Sequence, residues 1–293
     1  VGVILSHKIN DMKTILAPTD FSRTARNAIN YAAEIARRTR SRLILLHAYH
    51  QPVIIAEAPI VMPMPADLEK DCMKRLKKIR YDLLTKHGRQ LDVELICVNG
   101  LAVDIIEEYS KKNKTNLIVV GTHGAGYLEE KLLGSVTSAL IKSSITPVLS
   151  VAAKVKFKSI KNIVLASDYE RLESETALDP LKELASFFKS HIYILNITSE
   201  KNGLPTVSQA VQGLRLEHIL EGHSHSFHSV TNKNVVNGIN EFVNTHRMDM
   251  TVMLPRHRSF IQSIFKKSNS KAMAFHTETP LLTIHAEFTN KFK

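Results

Sequence analysis

The chain has 293 residues, 44% of them apolar and 23% charged, with 39 Lys and Arg against 28 Asp and Glu for a formal charge of +11. That length suits two domains with sizeable cores, and the composition excludes a disordered chain. The charge is spread, 21 basic against 15 acidic residues up to residue 152 and 18 against 13 beyond it. It therefore reads as a solvated positive surface, with no basic tail and no specific nucleic-acid binding.

The opening "VGVILSHKIND" holds too short an apolar run for a secretory signal, and no run nears the length of a membrane span. A strand is expected over Thr14–Pro18. The segment 22–40 follows as a helix with Ser22 as N-cap and Ala25, Ala28, Ile29, Ala32, Ala33 and Ala36 on one face. A second strand covers Leu43–His47. The connection 51–66, with Pro52, Pro59, Pro63 and Pro65, suits either a lid or a packing surface. A helix over 67–88 turns Leu68, Leu76, Ile79, Leu83 and Leu84 inward and ends at Gly88. Strands at Val93–Val98, Leu117–Val120 and Val148–Val151 enclose helices at 101–113 and from Gly134-Ser135 onward. The strands are apolar on both faces, as a parallel sheet covered on both sides requires. This alternation predicts an α/β, Rossmann-like, doubly wound sheet of five parallel strands with right-handed crossovers. Such sheets bind ligands at the carboxyl ends of their strands, at the switch in strand order.

The whole pattern then recurs. "KTILAPTD" (13–20) resembles "KNIVLASD" (161–168), and "ITPVLSV" (145–151) resembles "ETPLLTI" (278–284). From Val103 to Val151 the second copy follows at a constant offset of 133. Two tandem units are expected, 1–152 and 153–293.

Cys72 and Cys97 form no CxxC and no metal spacing; they fit a reducing cytoplasm better than a disulfide framework. "HSHSFH" crowds His223, His225 and His228, with His218 upstream. A strand there would turn His225 and His228 to opposite faces, so a polar loop is read in preference to a metal site.

The glycines carry the functional signal. Gly121 follows the fourth strand, Gly124 lies three residues on, and Gly134-Ser135 opens a helix whose free amides and dipole attract phosphate. G-x2-G-x9-G-[S/T] resembles the nucleotide-binding pattern of the ATP-binding branch of the universal stress protein family. "APTD" (17–20) and the closing "ITPVLSV" are similar to that family too. The resemblance implies that Ala17, Pro18, Thr19 and Asp20 hold adenine or ribose, with Ala48 beside the adenine. It assigns Gly121, His123, Gly124, Gly134, Ser135, Val136 and Thr137 to the phosphates of ATP, with or without Mg, and it implies that the two units pack as an intrachain pseudo-dimer through "PVLSV" and "PLLTI". In the second unit Gly121, Gly124 and Gly134 become Leu254, His257 and Lys267, so that unit is read as degenerate.

The expected function is an ATP-binding stress-response regulator with one site, at most a slow ATPase, since no nucleophile–base pair accompanies the glycines. Two other classes stand beside it: an ATP-using enzyme of the related adenine-nucleotide-binding α/β group, and a nucleotide-free dimerisation scaffold. The expected partner is an adenine nucleotide, and a homodimer is compatible with the reading.

Overall fold

The computed structural model of the chain describes residues 12–50, 65–122, 134–169, 174–198, 206–254 and 279–285, apart from the side chains of 65 and 66. The first half runs β1 (Thr14–Pro18), α1 (Arg23–Thr39), β2 (Arg42–Tyr49), α2 (Pro65–His87), β3 (Val93–Asn99), α3 (Ala102–Lys112), β4 (Leu117–Gly121), α4 (Ser135–Ser143) and β5 (Val148–Val151). The second runs β6 (Asn162–Ala166), a 3-10 turn at Glu175–Leu178, α5 (Asp179–Phe188), β7 (His191–Thr198), α6 (Val207–Ile219), β8 (His225–Thr231), α7 (Val235–Thr245), β9 (Met250–Met253) and β10 (Leu281–Thr283).

The local signals explain most boundaries. The Ser22 hydroxyl accepts from Ala25 N at the start of α1, and Arg40 ends it in the left-handed region. Gly88, at φ +92°, closes α2 as its amide donates to Leu84 O. Thr206 and Gln209 form a reciprocal capping box on α6.

Ten strands form one sheet in the order β3-β2-β1-β4-β5-β10-β9-β6-β7-β8. Every neighbouring pair is parallel except β5 with β10, where Leu149 faces Leu282 in antiparallel register. Each half is thus a doubly wound five-stranded sheet, and the last strands join them as expected. β5 and β10 are both paired on their two sides, and β3 and β8 form the outer edges.

The constant offset survives in three dimensions. α3 at 102–112 matches α7 at 235–245, and Ile118 N donates to Pro147 O as Thr251 N does to Pro280 O. Asn116 Oδ1 accepts from the amides of Lys13 and Thr14, while Asp249 Oδ2 accepts from those of Lys161 and Asn162. One core, shared by α1, α2, α5 and α6, runs across the junction and contains both Leu149 and Leu282. The opposite face is covered by α3 and α4 in the first half and by α7 in the second. The connection between halves is anchored on α1: Asn27 Nδ2 donates to the carbonyls of Ala152 (2.8 Å) and Val155 (2.7 Å). Phe157 then sits between Tyr31 and Phe188 under the Arg38 guanidinium.

Three expectations need correction. β2 extends to Tyr49, so Ala48 lies inside the strand and not past it. Pro65 already belongs to α2, and residues 51–64 of the proline-rich connection lie outside the described residues. Cys72 on α2 and Cys97 on β3 form a disulfide, although 25 residues separate them and no sequence pattern pairs them. The crossing of α2 over β3 brings them together, which removes the free-thiol argument for a reducing compartment. No helix among the described residues is long and apolar enough to cross a membrane.

Candidate functional site

β1 and β4 are neighbours, yet their following helices cover opposite faces of the sheet. This is the switch point, and the sequence-predicted residues gather at its carboxyl end. Ile15 pairs with Leu117 and Leu16 with Ile118, a register that sets Thr19 at the level of Gly121.

The β1–α1 turn is held tightly. Thr19 N donates to Leu46 O, and the His47 Nδ1–H donates to Thr19 O at 2.7 Å. The Thr19 hydroxyl accepts from Phe21 N, and Asp20 Oδ1 accepts from Ser22 N. These bonds keep Phe21 at φ +66° and leave Asp20 exposed at the rim. The second half repeats the device: Ser167 Oγ accepts from Tyr169 N, Tyr169 has φ +54°, and Asn196 Nδ2 donates to Ser167 O in the place of His47. Ala17 and Pro18 are buried at the end of β1, and half-buried Ala48 packs against the core under α3 and α4.

Two helix N-termini converge on the end of β4. Gly134, the N-cap of α4, donates its amide to Thr122 O at 2.6 Å. The Thr137 hydroxyl donates to Gly121 O at 2.7 Å and is buried. The first intrahelical bond of α4 is Ser138 N to Gly134 O, so the amides of Ser135, Val136 and Thr137 have no acceptor within their own helix. Ser135 is exposed at the first helical position and makes no side-chain cap.

From the other side α1 approaches Gly121 closely. A Cβ built on Gly121 would lie 2.8 Å from Thr24 Cγ2 and 2.9 Å from the Thr24 carbonyl carbon. Neither α1 nor α4 has an acidic residue in its first turn; Asp20 bonds the amide of the α1 cap, while the first turn of α4 carries no compensating carboxylate of its own. That donor set fits a phosphate or another small anion. The part played by Thr24 and α1 was not foreseen; its trace in the sequence is the Ser22 cap that starts the helix. His123 and Gly124 lie outside the described residues.

The second half departs from this at one visible point. Leu254 stands where Gly121 stands and packs its side chain against the shared core. His257, Lys267 and Ser268 lie outside the described residues.

The histidine-rich stretch is a strand, β8, and not a loop. His225 faces α6, where its Nε2 meets Glu217 at 3.0 Å. His228 faces α7, near Phe242 and His246. Ser226 Oγ lies 2.8 Å from Nε2 of both His228 and His191. Among the described residues no group of three His, Cys, Asp or Glu is arranged to hold a metal ion.

His228 titrates below its ordinary value through burial first, then through the charges of His246 and His191; burial and His225 act likewise on His191. The unfolded chain therefore takes up these protons first. Their contribution is complete above about pH 6.5 and is lost as pH falls through the folded values. Burial also lowers His225, but the His223 carbonyl and Glu217 raise it overall, so it acts in the opposite sense. His228→Gln should accordingly lose less stability on acidification than the parent. Urea midpoints measured either side of about pH 6.5 test this, and equally steep losses would exclude His228 as a contributor.

The fold and its switch point define a two-unit, doubly wound α/β protein with an anion-friendly carboxyl end in the first unit. Residues 12–152 match the model of the universal stress protein family. Universal stress protein A homolog 1 of Coxiella burnetii is 31% identical over 146 residues, covering 48% of this chain and 97% of that protein. Universal stress protein MJ0531 of Methanocaldococcus jannaschii is 29% identical over 157 residues, covering 50% of this chain and 86% of that protein. A crystal structure of a universal stress protein from Archaeoglobus fulgidus covers 94% of this chain and 99% of its own, with a TM-score of 0.68 at 15% identity, and so shares the fold across both halves. The chain belongs to the universal stress protein family.

Proposed function

We propose that this protein is an ATP-binding stress-response regulator with a single nucleotide site, in its first unit. The observation that carries the reading is the convergence of two helix N-termini, neither with an acid in its first turn, on Gly121, at the switch point and inside the intact G-x2-G-x9-G-S pattern. In this reading Ala17–Asp20 and Ala48 border the adenosine. The amides of Ser135, Val136 and Thr137, with the Ser135 hydroxyl, take the phosphates, while Gly124, His123 and Gly134 complete the cradle. The Thr137 hydroxyl is already committed to Gly121 O, so only its amide contributes. Bound phosphate brings negative charge to two positive dipole ends, which favours whichever arrangement of the surrounding loops closes on it.

The second unit, 153–293, is proposed as degenerate, because Leu254, its side chain packed on the shared core, stands in the place of Gly121. The internal pairing of β5 with β10 already occupies both last strands, so any association of two chains must use another surface.

Calorimetric titration of the full chain with ATP should saturate near one equivalent. Two equal sites would overturn the assignment of a degenerate second unit, and an absence of binding would leave the scaffold reading in its place.

A further inference from the structure

Helix α2 buries Cys72, Leu76, Ile79 and Leu83. Its opposite face carries Lys70, Lys74, Lys77, Lys78 and Tyr81, all exposed. At 3.6 residues per turn these five fall in one stripe about 16 Å long, with Tyr81 near its midline and 71% exposed. From Cys72 to Tyr81 five of ten residues are basic and none is acidic.

Among the described residues none of the four lysines makes an ion pair, and Asp82, the next acid along, is taken by Arg26 at 3.3 Å. Lys70 with Lys74, Lys74 with Lys77, and Lys74 with Lys78 are like-charge neighbours of the spacing that weakens a helix. Exposed Asp67 and Asp71 border the stripe at its N-terminal end, and no acid follows until Asp82. The fold does not demand this stripe: α6, the equivalent helix of the second half, turns Val207, Val211 and Leu214 outward instead.

We infer that the outer face of α2 binds single-stranded nucleic acid, the lysines contacting phosphates and Tyr81 stacking on a base. Charge selects a polyanion, and an exposed ring amid cations is a stacking platform for unpaired bases. A duplex keeps its base faces occupied and offers none to Tyr81. A membrane-surface helix would need its apolar face free, and that of α2 is committed to the core.

Fluorescence anisotropy of the full chain with labelled oligouridine RNA and oligothymidine DNA, across a salt series, tests the inference. A duplex of equal length and phosphatidylserine vesicles serve as competitors. The single strands should bind, RNA more tightly than DNA only if a 2′-hydroxyl is read. The combined variant Lys74→Gln, Lys77→Gln, Lys78→Gln should reduce the slope of log affinity against log salt by about 2, at roughly 0.7 per phosphate contact. Tyr81→Ala should weaken binding about tenfold at an unchanged slope. Thermal unfolding of both variants checks that the fold is retained. No binding of either strand, binding of vesicles alone, or a slope and affinity indifferent to both variants would overturn it.

Discussion

Gly121→Ala is expected to destabilise the protein by about 2 kcal/mol, the usual cost of forcing a methyl into a filled space. The new Cβ would stand 2.8 Å from Thr24 Cγ2, 2.9 Å from the Thr24 carbonyl carbon and 3.0 Å from its oxygen. Two of those atoms are backbone of the first turn of α1, so relief requires moving the helix and not merely a rotamer. The same carbonyl-bearing residue, Gly121, accepts the Thr137 hydroxyl that fixes α4. Displacing α1 from β4 therefore disturbs both helix N-termini together, and ATP affinity should fall with stability. Urea denaturation and calorimetric titration of the same sample read the two effects. Gly213→Ala is the control: it lies within α6, a Cβ there meets nothing within 4 Å, and the helix should gain about 1 kcal/mol. If the two variants behave alike, close approach of α1 is not what requires glycine at 121.

Leu282→Ala should cost more, about 3 kcal/mol. Leu282 is fully buried and pairs across the only antiparallel rung-set of the described sheet with Leu149, also fully buried. Both belong to the core that α1, α2, α5 and α6 share. Truncation opens a cavity where the two halves meet, and packing there is what couples them. Unfolding followed in denaturant should broaden or split as the halves lose their common core. A double-mutant cycle with Leu149→Ala gives the sharper check, since residues in contact lose less together than separately. Strict additivity would mean that the two leucines do not act as one unit.

Much of the architecture was legible from local patterns. β1 and β5 have the bounds that their apolar runs indicate, α1 starts after the Ser22 cap, and Gly88 closes α2 because it tolerates positive φ. The offset of 133 foretold that α3 and α7, β4 and β9, and β5 and β10 are paired copies, and the structure keeps each at that spacing. Opposite orientation of His225 and His228 also followed from the two-residue period of a strand. What misled was a matter of extent: β2 continues through Ala48 to Tyr49 because its pairing with β3 extends that far, and polarity alone made β8 look like a loop.

By itself, then, the sequence determined most element types, their duplication, the glycine pattern and the family, because capping, periodicity and glycine tolerance act within a few residues of chain. Tertiary structure decided the rest. It set β5 and β10 antiparallel with Leu149 against Leu282, bonded Cys72 to Cys97, committed the Thr137 hydroxyl to Gly121, and brought Thr24 of α1 against that glycine. The four lysines and Tyr81 became one outward stripe only once α2 had chosen which side to bury. Each of these is a contact or an exposure set by packing between segments distant in the chain, and no local propensity encodes which distant segment will arrive.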